Sequence, residues 1–366
     1  MPKILMKGNE AIAQAAINAG CQCYFGYPIT PQNEIGEYMS SKMIEIGRTY
    51  ISAESELAAV NMLIGAGSTG TLAMTSSSSC AIALMQEAIS SMATAEIPGV
   101  IISVMRAGPG LGDITPSQAD YFQSVKGGGN GDYRTVVLAP STISEAVLLT
   151  QRAFYLAMKY RNPVMLLADG ILGQMMEPVE MPEGSAFDKV DTTSWALDGI
   201  GKGKEQREAR SLMSLHMGDN ILEKLNHRIF KKYAVIKANE TTFEKYLCDD
   251  ADIIITAFGT VARVAKTAVN MAREKGIKAG LFRPVTLWPF PDEELYNTAK
   301  DKKCVLDIEL NMGQMIQDVK IALRGSSPVE FFGKTGGAII NSVEILNKII
   351  EISKEKQYGT NLTASI

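Results

Sequence analysis

Two histidines and five cysteines are all that 366 residues offer of the side chains commonest at metal and nucleophilic centres. No two cysteines stand as C-x-x-C. Cys21 and Cys23 are spaced C-x-C in an apolar run, and Cys80, Cys248 and Cys304 are isolated. That spacing predicts neither an iron–sulfur cluster nor a structural zinc in this chain, and an odd count reads as free thiols. His216 and His227 lie in a polar, lysine-rich stretch, so both are expected at the surface and neither as a catalytic base. Long apolar runs are also missing: Val100–Met105 and Val164–Ala168 fall far short of the ~20 residues that span a bilayer. The opening MPKILMKGNE has no apolar core of a signal peptide, which makes a cytoplasmic location the expectation. With 36 Lys plus Arg against 40 Asp plus Glu, the net charge of −4 gives no electrostatic reason for a nucleic-acid or membrane partner.

What is present is the material of a globular α/β enzyme, long enough for two or three domains. Over residues 1–180 helical and strand patterns alternate. Asn9–Ala19 reads as a helix stopped at Gly20, Cys21–Phe25 as a strand, Asn33–Ile46 as a helix and Thr49–Ala53 as a strand. Glu54–Gly65 (helix), Leu72–Thr75 (strand), Cys80–Ala95 (helix) and Gly99–Met105 (strand) follow, then Val136–Leu138, Ile143–Tyr160 and Pro163–Ala168 as strand, helix and strand. Strands of four to seven residues between longer helices predict a doubly wound parallel sheet. Residues 181–250 carry little core-forming material and read as a connector, with a charged helix over Leu222–Tyr233 expected to continue through Phe243–Tyr246. From 251 to 366 the alternation resumes and predicts a second, smaller α/β domain.

In open α/β sheets ligands gather beyond the carboxyl ends of strands. Three segments fall there. Gly26-Tyr27-Pro28-Ile29-Thr30-Pro31 follows the first strand, and its two prolines restrict the backbone that carries Thr30. Read alone it is equally a rigid turn. Glu54-Ser55-Glu56 opens a helix whose next turns are small and apolar; Ser55 or Glu54 can cap it, and Glu56 stands at the mouth of an apolar surface. Arg106 ends the strongest strand and leads into Ala107-Gly108-Pro109-Gly110-Leu111-Gly112-Asp113. A guanidinium at such a place suits a carboxylate ligand, or an ion pair with Glu56 or Asp113.

Together these segments closely resemble the α subunit of the 2-oxoacid:ferredoxin oxidoreductases, most of all the branched-chain (2-oxoisovalerate, or 3-methyl-2-oxobutanoate) type. The Leu84-Met85-Gln86-Glu87 helix, Asn130–Asp132 with Val136-Val137-Leu138-Ala139-Pro140-Ser141, and Glu309-Leu310-Asn311-Met312-Gly313-Gln314-Met315 extend the likeness to nearly the whole chain. The resemblance implies a pyrimidine-type thiamine diphosphate domain over 1–180 and a transketolase-C-terminal-like domain over 251–366. It implies oxidative decarboxylation of a 2-oxoacid with coenzyme A, with electrons passing to ferredoxin through iron–sulfur clusters on other subunits. Thiamine diphosphate would be held by its diphosphate and Mg²⁺ on a β subunit, with γ and ferredoxin-like δ subunits as further partners. This chain has no Gly-Asp-Gly with a later Asn; Ala168-Asp169-Gly170 and Gly218-Asp219-Asn220 come nearest and neither fits. By the same resemblance Glu56 hydrogen-bonds the aminopyrimidine ring, so the cofactor is its own base and no histidine is needed. Thr30 and Arg106 bind the 2-oxoacid carboxylate, Tyr27 lines the substrate pocket, and Pro28 and Ile29 lie against the cofactor, Ile29 also facing the acyl chain. One departure stands out: Ser79-Cys80-Ala81, after a serine run from Ser76, replaces the Gly-Pro-Gly-like turn expected before Leu84-Met85. A serine there can still cap the helix. Other readings are pyruvate or 2-oxoglutarate as substrate, a scaffold subunit that kept the fold without the chemistry, and a flavodoxin-like carrier.

Overall fold

The computed structural model describes residues 3–199 and 209–354. Seven strands form the larger sheet, in the order Thr286–Trp288, Val136–Leu138, Pro163–Asp169, Gly99–Met105, Ala73–Ser77, Cys23–Gly26 and Thr49–Ser52. All are parallel except the first, which runs antiparallel to Val136–Leu138 and comes from far along the chain. Every residue of Gly99–Met105 and Pro163–Asp169 is buried, as expected where helices cover both faces of a parallel sheet. Successive side chains take opposite faces. Ile101 and Met105 join one core and Val100, Ile102 and Val104 the other, with the helices Gly8–Asn18, Asn33–Glu45 and Ile143–Tyr160 over the second.

The smaller sheet has five strands, ordered Val329–Gly333, Cys304–Glu309, Ile253–Thr256, Ala279–Pro284 and Phe243–Tyr246. The expected architecture, α/β with two parallel sheets, is what the chain adopts. Two local expectations are corrected, and one strand falls outside them. Phe243–Tyr246 is a strand antiparallel to Ala279–Pro284 and not the tail of the long helix, which spans Ile221–Glu240. Thr241 leaves the helix in extended conformation, and the free edge of Ala279–Pro284 offers the next residues hydrogen bonds that a solvated helix end lacks. Lys3–Lys7, beside the first helix, is a strand paired antiparallel with Met176–Glu180. The helix expected over Cys80–Ala95 is two, Ser79–Leu84 and Gln86–Ala95, broken at Met85.

One apolar core continues from the larger sheet into the smaller. Met105, Val137 and Leu167 belong to the same cluster as Ile254, Phe258 and Met315. Polar bonds lock this junction. Buried Asp169, at the end of a central strand, accepts from Leu172 N–H at 3.0 Å and from the Thr260 amide and hydroxyl at 3.1 and 2.7 Å. The Ala168-Asp169-Gly170 string is thus a strap between sheets. Arg283 reaches from the smaller sheet to both oxygens of Glu145 at 2.7 and 2.9 Å, and its Nε donates to Glu244. Among the described residues no helix is long and apolar enough to cross a membrane.

Arg283 is buried, whereas Glu145 and Glu244 keep part of their surface in water, so removing the guanidinium leaves two neighbouring carboxylates only partly desolvated. Arg283→Ala is therefore expected to lower unfolding free energy by about 2 kcal/mol in urea titrations. A change below about 1 kcal/mol would mean that the pair behaves as a solvated one.

Candidate active site

Four adjacent strands of the larger sheet bring their carboxyl ends to one edge. Thr30 follows Cys23–Gly26, Glu56 follows Thr49–Ser52, Ser79 follows Ala73–Ser77, and Arg106 follows Gly99–Met105. With strands about 4.8 Å apart, the outer two of the four are separated by about 14 Å.

Arg106 and Thr30 are brought into contact. Arg106 is buried, and its Nη1 donates to the Thr30 carbonyl at 3.1 Å. Nη2 donates to the Leu111 carbonyl at 2.9 Å and to Cys80 Sγ at 3.2 Å. A guanidinium carries five N–H groups, so two remain, Nε among them, and Nε is buried without a partner. Neither Glu56 nor Asp113 pairs with Arg106, which rules out both ion pairs considered from sequence. The loop after Arg106 closes on itself as Asp113 N–H donates to the Ala107 carbonyl. Gly112, at φ 56°, makes this possible, because a Cβ there would collide with that same carbonyl.

Thr30, half-buried, presents its hydroxyl to Asn33 Nδ2 at 3.4 Å, and the Thr30–Pro31 bond is cis. Ile29 is half-buried, while Tyr27 and Pro28 are exposed. Beneath this turn Gln32, Ser76 and Tyr24 form a buried relay: Ser76 Oγ donates to Gln32 Oε1 at 2.6 Å and lies 2.7 Å from the Tyr24 hydroxyl.

Glu56 is the first residue of the helix Glu56–Ser68. Ser55 caps that helix by accepting from Ala58 N–H at 3.2 Å, one of the two caps expected. Glu56 is 8% exposed, yet its carboxylate makes no hydrogen bond or ion pair among the described residues. It shares the edge with Thr30 and Arg106 without touching either.

Two residues that the sequence did not single out complete the arrangement. The Ser79 hydroxyl accepts from Arg106 N–H at 2.9 Å, lies 3.2 Å from the Arg106 carbonyl and donates to Asp120 Oδ2 at 2.5 Å. Ser79 has φ 22°, an uncommon conformation for a residue with a Cβ, at the place where a glycine-containing turn was expected. The serine run does not cap the helix with a side chain: Ser78 is the N-cap and its hydroxyl is buried without a partner. Burial pushes the Asp120 carboxyl up to about 6, against the opposing pull of the Ser79 bond and the Arg106 charge. The serine run was a visible signal for Ser79; Asp120, 14 residues beyond Arg106, had none.

Cavity volume does not mark the site. A cleft of about 420 Å³ lies at the opposite edge, where Gly20, Gln22 and Leu72 precede their strands. A cleft of about 240 Å³ beside Tyr27, Pro28 and Gln32 includes none of Thr30, Glu56 and Arg106. On this chain the edge is open.

Residues 14–217 match the family described as pyruvate flavodoxin/ferredoxin oxidoreductase, thiamine diphosphate-binding, and residues 251–345 match pyruvate:ferredoxin oxidoreductase core domain II. The chain is 47% identical to ketoisovalerate oxidoreductase subunit VorB of Methanothermobacter marburgensis, over 96% of this chain and 98% of that one. The chain belongs to the 2-oxoacid:ferredoxin oxidoreductases. The 2-oxoglutarate synthase subunit KorA of the same organism is 35% identical over 94% of this chain and 98% of its own length. The fold is also that of the 2-oxoglutarate:ferredoxin oxidoreductase from Magnetococcus marinus, with TM-score 0.82 and 23% identity, covering 96% of this chain and 65% of that one. The flavodoxin-like carrier is thereby set aside, and the chain is a subunit of an oxidoreductase.

Asp120 has a stability consequence. Its carboxyl is raised from 3.8 to about 6, so between those values the folded chain holds a proton that the unfolded chain has lost. Its contribution therefore falls as pH rises through that window, by on the order of 3 kcal/mol. Asp120→Asn should remove this slope: relative to the unsubstituted chain, its urea midpoint should rise between pH 4 and pH 7. Parallel pH profiles would contradict a raised Asp120.

Proposed function

We propose that this chain supplies the pyrimidine-side half of a thiamine diphosphate site and binds the carboxylate of a branched-chain 2-oxoacid, decarboxylated with coenzyme A to acyl-CoA while electrons pass to ferredoxin. The observation that carries the reading is Glu56, a largely buried residue at a helix start whose carboxylate has no hydrogen-bond or ion-pair partner among the described residues. A carboxylate sheltered by protein but bonded to none of it is available to a ligand, and a basic ring nitrogen suits it. When bound, thiamine diphosphate supplies the carbon nucleophile and the electron sink for decarboxylation. Glu56 holds a proton on the ring nitrogen. Arg106, with two free N–H groups, and Thr30 beside it hold the substrate carboxylate, an attraction lost as carbon dioxide leaves. Tyr27, Ile29 and Pro28 supply apolar surface at the mouth.

The branched-chain preference rests on the stronger likeness to a ketoisovalerate subunit than to a 2-oxoglutarate one, and on the site itself. Within Gly26–Pro31 and Arg106–Asp113 the one cation is Arg106, so nothing there would meet a second carboxylate. Tyr27, Ile29 and Leu111 favour an aliphatic acyl chain.

The site needs a partner. The helix Glu56–Ser68 is apolar on its outer side as well as its inner one, and Leu57, Leu84, Leu111 and Ile114 are exposed around the edge. We assign this face to a β subunit that brings the diphosphate and Mg²⁺, with the iron–sulfur clusters on that or further subunits. The 1–180 segment is read as the pyrimidine-type domain, 181–250 as the connector and 251–366 as the transketolase-C-terminal-like domain, although the edge strand Thr286–Trp288 crosses into the first sheet.

Glu56→Gln keeps the side chain's shape and removes its charge. In the assembled complex it should lower turnover by about a hundredfold or more while subunits still co-purify. Unchanged turnover would favour the scaffold reading. Against a panel of 2-oxoacids, 2-oxoisovalerate should give the highest kcat/KM, with each methylene lost from the acyl chain costing about tenfold or more. A preference for 2-oxoglutarate would overturn the substrate assignment.

A further inference from the structure

We propose that Asp120 is a positioning residue that fixes Arg106 through the Ser79 hydroxyl, and that the smaller sheet's loops hold Asp120 in place for that purpose. The proposal rests on the reading of Arg106 as the carboxylate ligand and extends it to the residues that aim it.

The geometry runs as a chain of bonds. A hydroxyl has one proton and two lone pairs. With that proton directed to Asp120 Oδ2 at 2.5 Å, a lone pair of Ser79 faces the Arg106 amide at 2.9 Å. The hydroxyl lies between both peptide groups of Arg106, since the Arg106 carbonyl is 3.2 Å away. Without Asp120 nothing holds the Ser79 proton away from that carbonyl, and the lone pair that faces the amide loses its fixed direction. Asp120 itself is buried, and among the described residues its one side-chain hydrogen bond is to Ser79.

The residues on both sides of Asp120 are tied to the smaller sheet. Gln118 N–H donates to the Leu310 carbonyl at 3.0 Å, Leu310 N–H returns to Gln118 Oε1, and Asn311 Nδ2 donates to the Gln118 carbonyl at 2.8 Å. On the other side Gln314 accepts from Phe122 N–H at 2.8 Å and donates to the Ala119 carbonyl at 2.7 Å, while the Tyr121 hydroxyl donates to Asp318 at 2.6 Å. Glu309, fully buried, anchors Asn311 Nδ2 and the Gln314 amide. Gly337, at φ 86°, lets its loop pass so close to Thr115 that a Cβ would collide with the threonine side chain. Thr115 in turn accepts from Ala107 N–H through its carbonyl, one residue beyond Arg106. The second sheet thus grips both the segment that carries Asp120 and the strand end that carries Arg106.

The test uses the assembled complex with Asp120→Asn, Ser79→Ala, Arg106→Lys and the double variant Asp120→Asn/Arg106→Lys. Asp120→Asn and Ser79→Ala should raise KM for the 2-oxoacid about tenfold, with kcat and KM for coenzyme A changed less than about twofold. In the Arg106→Lys background Asp120→Asn should add nothing to KM, because both changes act on one contact. Hydrogen exchange of the Arg106 amide should speed up in Asp120→Asn. If Arg106→Lys raises KM but Asp120→Asn does not, or if the two effects multiply, the positioning role is overturned. If Arg106→Lys leaves KM unchanged, the carboxylate reading fails, and amide exchange decides alone: unaltered protection of Arg106 in Asp120→Asn then overturns the positioning as well.

Discussion

The segment Pro116–Phe122 is held on both sides, and the geometry of the site follows from that. Toward the smaller sheet its backbone and the Gln118 side chain are bonded to Leu310, Asn311, Gln314 and Phe258. Toward the larger sheet Pro116 bridges to Arg106, and Asp120 receives the Ser79 hydroxyl. These contacts are buried, where an unpaired polar group is expensive and a bonded one has few other arrangements open to it. A parallel sheet alone would leave the loop after Gly99–Met105 free at its open edge. The second sheet removes that freedom, which gives it a role at the site although none of the proposed ligand-binding residues lies on it.

Several buried polar groups where the two sheets meet are closely matched, although Asp307 Oδ2 on the smaller sheet is buried without a partner. Asp169 takes three donors, Glu309 takes the amides of Gln314, Met315 and Ile316, and Arg283 spans Glu145 and Glu244. Glu56 is the contrast: only 8% exposed, its carboxylate has no hydrogen-bond or ion-pair partner among the described residues. The proposed ligand rests on that contrast, and the proposed partner subunit on the apolar outer side of the same helix.

Periodicity made most elements legible. Ile143–Tyr160, Gly99–Met105 and Val136–Leu138 have the bounds that apolar spacing suggests, because burial of one helical face or of a whole strand is a local property of sequence. Phe243–Tyr246, Lys3–Lys7 and Thr286–Trp288 escaped that reading for one reason. Each is an edge strand that pairs antiparallel, outside the alternation of parallel strand and helix on which that reading rested.

At the site the division is similar. Thr30, Glu56 and Arg106 stand at ends of predicted strands or the start of a predicted helix, so the sequence alone put them at one edge of an α/β sheet, and their motifs alone pointed to the family. The sequence also holds no C-x-x-C pair. Only the tertiary structure decided that, among the described residues, Arg106 bonds the Thr30 backbone and no carboxylate and Glu56 has no partner, and that the Ser79 hydroxyl bonds both the Arg106 amide and Asp120. Those relations are set by burial and by the few bonding partners within about 3 Å, which a chain acquires only when distant segments are packed together.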